Sequence, residues 1–126
     1  MKASSLSFFI AVATLAIGMA WGIVMAISKD HSAMPAHAHL NLLGWVSLFL
    51  FGIFYRLHPT LDLSRIARIQ ILIWIVGTAI LTIGVAMYHA GNPGGEHYAA
   101  VGSIVVFVDL FLFGWLVFKH ERAVTA

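Results

Sequence analysis

The sequence predicts an all-α integral membrane protein of four transmembrane helices. Three observations carry that prediction. Of 126 residues, 61% are hydrophobic, and only seven Lys or Arg and five Asp or Glu are present. Mean hydropathy is +0.95. The apolar residues gather into four long runs separated by short polar connections. A soluble domain carries about 25% charged residues, and this chain carries 10%. A disordered chain is excluded by the ample apolar surface. The absence of cysteine removes disulfides, zinc ribbons, iron–sulfur clusters and thiolate chemistry. The sequence pI of about 9.3 reflects a net charge of only +2 with no basic stripe, so no nucleic-acid partner is expected.

The first span, 6–27, holds no charge. At 1.5 Å per residue it gives about 33 Å of helix, enough for a hydrocarbon core of ~30 Å. It is longer than the apolar core of a secretory signal and ends without a clean A-x-A site, which favours a retained span. The other spans are expected at about 38–55, 66–88 and 98–118. Helices are required because a segment in lipid must satisfy its own backbone. Ser32 and Pro35 open the second span. Pro59 closes it. Asp62 and Ser64 are capping candidates for the third. Gly91-Asn92-Pro93-Gly94-Gly95 is a turn between the third and fourth. The whole chain, 1–126, forms one four-helix domain.

Lys2, Arg56, Arg65, Arg68, Lys119 and Arg122 fall on one side of a four-span chain, and Lys29 alone on the other. The positive-inside rule therefore places both termini in the cytoplasm, in a multi-pass arrangement. Five histidines, His31, His37, His39, His89 and His97, then reach the outer end. His58 and His120 reach the inner end. Imidazole binds zinc, copper and heme iron. Short polar loops account for His31 and His97. They account poorly for His37 and His39, which enter an apolar helix.

Two residues along a helix lie ~200° apart. His37 and His39 therefore point to nearly opposite sides and are poorly placed to hold one ion, unlike histidines at i and i+4. They suit two sites. His37, Asn41, Gly44, Leu48, Gly52 and Tyr55 share one face. Gly44 and Gly52 leave room there for a close helix or a flat cofactor.

The stretch His37 to Pro59 (HAHLNLLGWVSLFLFGIFYRLHP) resembles the tenth helix of subunit I of the heme-copper oxygen reductases, most closely the cbb-type cytochrome c oxidases. The shared frame is the H-x-H pair, Leu43-Gly44-Trp45, Phe51-Gly52, Tyr55, Leu57 and Pro59, over 23 of 126 residues. In that family the first histidine binds the high-spin heme and the second binds the low-spin heme on the opposite side. The family subunit is three quasi-equivalent arcs of four helices, and this chain resembles one arc. The resemblance therefore implies a homotrimer. Under threefold symmetry His37 of each protomer would meet His39 of its neighbour across one heme b. It implies His37, His39, Asn41, Gly44 and Trp45 as the heme site, a bacterial inner membrane with the histidine-rich face outward, and a redox donor as partner. The family's copper ligands include a histidine pair where this chain has the single His89. Electron transfer, or binding of O2 or NO, is thus expected rather than oxygen reduction. Copper is the further cofactor, with His89 and then His31, His97, Met34 and Met87 as additional candidate ligands.

Two other readings compete. One is a copper or zinc site built by the outer histidines. The other is a non-catalytic partner or assembly factor for a larger oxidase. Asp109, eleven residues into the fourth span, is costly in lipid and should face protein or water. It is expected either to relay protons or to sit protonated against Thr78, Ser47 or an indole N–H. Gly18 and Gly22 form a GxxxG that permits close packing of the first span. The remaining methionines read as apolar filler, and Trp21, Trp45, Trp74 and Trp115 as packing and interface anchors.

Overall fold

The computed structural model describes residues 1–125, with side chains as far as residue 123. Helix α1 runs Ala3–Ser28. Helix α2 runs Met34–Leu57. A single turn, Pro59–Asp62, follows. Helices α3, Arg65–His89, and α4, Gly95–Thr125, complete the chain. All four long helices are apolar enough to cross a membrane. No strand occurs among the described residues. Each helix runs past its expected apolar span. Backbone hydrogen bonds continue into the interface, where hydropathy no longer marks them.

One stripe of α1 is small and polar. Ser4, Ala11, Gly18 and Met25 are buried at seven-residue intervals, with Ser7 between. Half-buried Thr14 and Trp21 complete the alternation of three and four. This is the repeat of a helix seam crossing its neighbour at roughly 20°. In lipid there is no hydrophobic drive between helices, so small residues that let backbones approach are what make such a seam hold. The partner is α2. Asn41 lies over Gly18, His37 over Gly22, Thr14 over Gly44 and Phe8 over Gly52. The GxxxG of α1 therefore faces the H-x-H turn. Of the two uses open to Gly44 and Gly52, the close helix fills that face within the protomer.

Helices α3 and α4 pack most extensively of all. Gly84 lies against the backbone of Tyr98 and Ala99, and Gly102 against the backbone of Leu81. Each helix packs chiefly on its chain neighbour, with lighter contact between α1 and α3. Helices α1 and α4 share no comparable packing. The four helices form an open row, not a closed bundle.

The start of α1 and the last turns of α4 lie at the end of the row that holds the α2–α3 turn. Lys2, the residue before α1, gives it no side-chain cap. Asp62 supplies one from across the fold. Its Oδ1 accepts from the Ser4 backbone N–H at 2.7 Å, and its Oδ2 accepts from Ser4 Oγ at 2.7 Å. Arg56 Nε donates to the same Ser4 Oγ at 3.0 Å. A carboxylate at a helix N-terminus satisfies orphan donors and meets the positive end of the dipole. Ser64 caps α3, accepting from Ala67 N–H at 3.2 Å. Of the two caps expected for α3, Ser64 acts there and Asp62 acts on α1. At the other end, Asp30 accepts from Ser32 N–H at 2.9 Å. That bond holds the Asp30 carboxyl below the usual carboxylate range.

The glycine contacts give a direct test. Gly102→Leu drives a side chain into the α3 backbone and should cost at least about 1–3 kcal/mol. The matching Gly114→Leu, whose position meets nothing within 4 Å, should leave stability unchanged or raised. Thermal unfolding of the two variants in detergent checks the difference.

Candidate functional site

Helix α2 changes its winding where the site is built. Met34–His39 is α-helical, Leu40–Ser47 is π-helical and Leu48–Leu57 is α-helical again. A π stretch is poor in intrinsic stability and is common at functional sites. Here its carbonyls receive donors from both neighbours. Thr14 Oγ1 donates to the Gly44 carbonyl, and Trp74 Nε1 donates to the Leu43 carbonyl at 3.0 Å. Just beyond, Ser7 Oγ donates to the Leu48 carbonyl. Ser47 Oγ turns back to the Leu42 carbonyl five residues earlier, at 2.8 Å.

His37 and His39 precede the π stretch, so their α-helical divergence stands. His39 Nδ1 donates to the Pro35 carbonyl at 2.7 Å. A carbonyl only accepts, so the proton is on Nδ1 and the Nε2 lone pair is free. An imidazole fixed in this way through its second nitrogen is oriented for metal ligation. His37 sits differently. Its Cε1 lies against Gly22, 3.3 Å from where a Cβ would stand, and its ring meets Trp21 edge-on at 6.3 Å. Asn41 Nδ2 donates to the His37 carbonyl at 2.8 Å and lies 3.3–3.4 Å from both ring nitrogens. His37, Ala38 and Asn41 line one side of a groove of about 510 Å³; Met19, Gly22 and Ala26 of α1 line the other. Both histidines are half-buried.

The remaining outer candidates lie apart. His31, His89 and His97 are exposed at the ends of their helices or between them, Met34 is exposed, and Met87 is half-buried. Among the described residues no three or more of His, Asp and Glu gather where one ion could hold them together. The Trp45 ring lies tilted against Phe49, with centroids 4.9 Å apart.

Asp109 is buried, and its partner is none of those expected. Gln70 Nε2 donates to Asp109 Oδ2 at 2.6 Å, and Tyr55 Oη donates to Gln70 Oε1 at 2.7 Å. One amide thus joins α2, α3 and α4. The signal for it was a lone Gln inside the third span, which must find polar partners in lipid. Gln70, Trp74, Thr78 and Thr82 repeat every fourth residue and are all buried, giving α3 one polar stripe facing inward. Among the described residues the buried side-chain atoms without a partner are Thr78 Oγ1, Thr82 Oγ1 and Asp109 Oδ1. Thr78 also lines a cavity of about 80 Å³ with Thr14 and Gly44.

Compared with protein-family models, with curated proteins and with solved structures, the chain shows no match.

The Tyr55–Gln70–Asp109 chain predicts a non-additive mutant series. Gln70→Leu strands a phenol and a carboxyl, at about 1–3 kcal/mol for each orphaned group. Adding Tyr55→Phe should recover part of that loss, although Tyr55→Phe alone destabilises. Unfolding free energies of the singles and the double in detergent, read as a cycle, check the coupling.

Proposed function

We propose that this chain is a b-type cytochrome of a bacterial inner membrane, acting in electron transfer or in binding O2 or NO. Its working form is a homotrimer of four-helix arcs, with heme b held between His37 of one protomer and His39 of the partner subunit. The observation that carries this reading is the fixed His39 imidazole, with Nδ1 spent on Pro35 and Nε2 free. It lies on the opposite side of the helix from His37, which lines an open groove.

The residues fit the group. Each histidine can present one ring nitrogen, and the divergence of the pair prevents one chain from clamping a single iron with both. Gly22 and Ala38 keep the wall of the His37 groove low, and Asn41 restrains the ring. When bound, heme supplies one-electron redox chemistry. The protein orients the imidazoles and excludes water with the apolar faces around them. The open row adds support, because α1 and α4 each keep a flank that another copy can cover. With six of seven Lys and Arg at the termini end, the termini are cytoplasmic and the histidine pair faces outward.

The test is an absorption spectrum and pyridine hemochrome of protein purified from heme-replete cells. A low-spin Soret band with b-type hemochrome is expected, and its absence sinks the proposal. His37→Ala and His39→Ala should each abolish the same low-spin signal. They should also shift native mass spectra from trimer toward monomer. A monomer that keeps bis-histidine heme would rule out ligation across an interface.

A further inference from the structure

The termini end carries a second groove, of about 250 Å³, between the α2–α3 turn and the last apolar turns of α4. Thr60, Ser64, Trp115, Leu116, Lys119 and His120 line it. Its polar groups have donors to offer. Lys119 Nζ is held 5.0 Å over the Trp115 ring. His120 Nδ1 donates to the Leu116 carbonyl at 2.9 Å, which fixes the ring as one wall of the groove. Ser64 Oγ accepts from Ala67 N–H, so its own proton is uncommitted, and Ser64 stands at the positive end of the α3 dipole. The nearby carboxylates are engaged elsewhere. Asp62 is bound to Ser4, and Glu121 lies 3.4 Å from His58 Nε2. Leu116 and the Trp115 ring supply an apolar surface beside these donors.

We infer that this groove binds the headgroup of an anionic glycerophospholipid. The phosphodiester meets Lys119 and the Ser64 hydroxyl beside the His120 ring, and the first acyl carbons lie along Leu116 and Trp115. Charge complementarity selects this occupant. The groove sits where helices leave the apolar layer, at the end holding six of the seven Lys and Arg. Basic pockets between helices at that depth suit acidic headgroups. A zwitterionic lipid brings an ammonium that Lys119 repels. The inference is independent of the heme reading.

The experiment is native mass spectrometry of the full chain released from nanodiscs of equimolar phosphatidylglycerol and phosphatidylcholine. Preferential retention of phosphatidylglycerol is expected. Lys119→Gln with His120→Gln should lower that preference at least about fivefold with unchanged thermal unfolding in detergent, whereas Lys29→Gln at the opposite end should not move it. Equal retention of the two lipids overturns the inference. So does an equal fall with Lys29→Gln, which would mean bulk charge alone. A third arm adds inorganic phosphate to lipid-depleted protein. Saturable phosphate binding lost in the double variant, without lipid preference, would assign the groove to a free anion instead.

Discussion

The π-helical stretch Leu40–Ser47 is held in place by its neighbours, and the arrangement of the other helices follows from that. A π segment has poorer internal hydrogen bonding than an α-helix. In lipid no water is present to make up the difference. Thr14 from one side and Trp74 from the other donate to adjacent carbonyls, Gly44 and Leu43. Helices α1 and α3 must therefore flank α2 closely at this level. The small seam of α1 makes the first approach possible, and the polar stripe of α3 brings the second. The winding change also sets the phase between the two ends of α2. It lets the histidine turn face Gly22 while Tyr55 reaches Gln70.

Polar groups in this protein are arranged by depth. At the termini end, buried Ser4 and Asp62 bond to each other, and Arg56 donates to Ser4 from the exposed side. Further into the apolar layer, Gln70 links Tyr55 to Asp109. Toward the far end, His39 is fixed by its own helix and His37 is framed by Gly22, Trp21 and Asn41. All of these groups but His39 tie at least two segments together. An apolar exterior is thus compatible with one specific order of helices, because a wrong neighbour would strand these groups in lipid. The α3–α4 pair relies on something else, the backbone contact at Gly84 and Gly102, where shape decides the fit.

The four spans were legible because hydropathy and the side bias of Lys and Arg are strong, additive signals. The GxxxG and the H-x-H pair were legible separately. Their mutual contact was not, because register between helices depends on facing shapes that no single segment records. The α2 face running from His37 to Tyr55 was anticipated from α periodicity. The π winding within it was not, because Leu40–Ser47 contains no breaker and its stabilising donors come from residues 14 and 74. Asp62 looked like a local cap for α3 because capping motifs are read from neighbouring positions. Its actual partner is 58 residues away. Asp109 was recognised as needing a partner, and the choice of Gln70 rests on depth matching between antiparallel helices.

The long-range cap on α1 bears on how the chain is made. Helix α1 leaves the ribosome before α2, yet the carboxylate that completes its N-terminus belongs to residue 62. Until the α2–α3 turn has been synthesised, the Ser4 amide has only solvent or headgroups to bond. The N-terminal turn of α1 thus stays unsettled through the insertion of α1 and α2 and locks when the α2–α3 turn closes over it. One buried acid makes final docking of the first helix conditional on successful delivery of the second, a built-in order of assembly written across 58 residues of sequence separation.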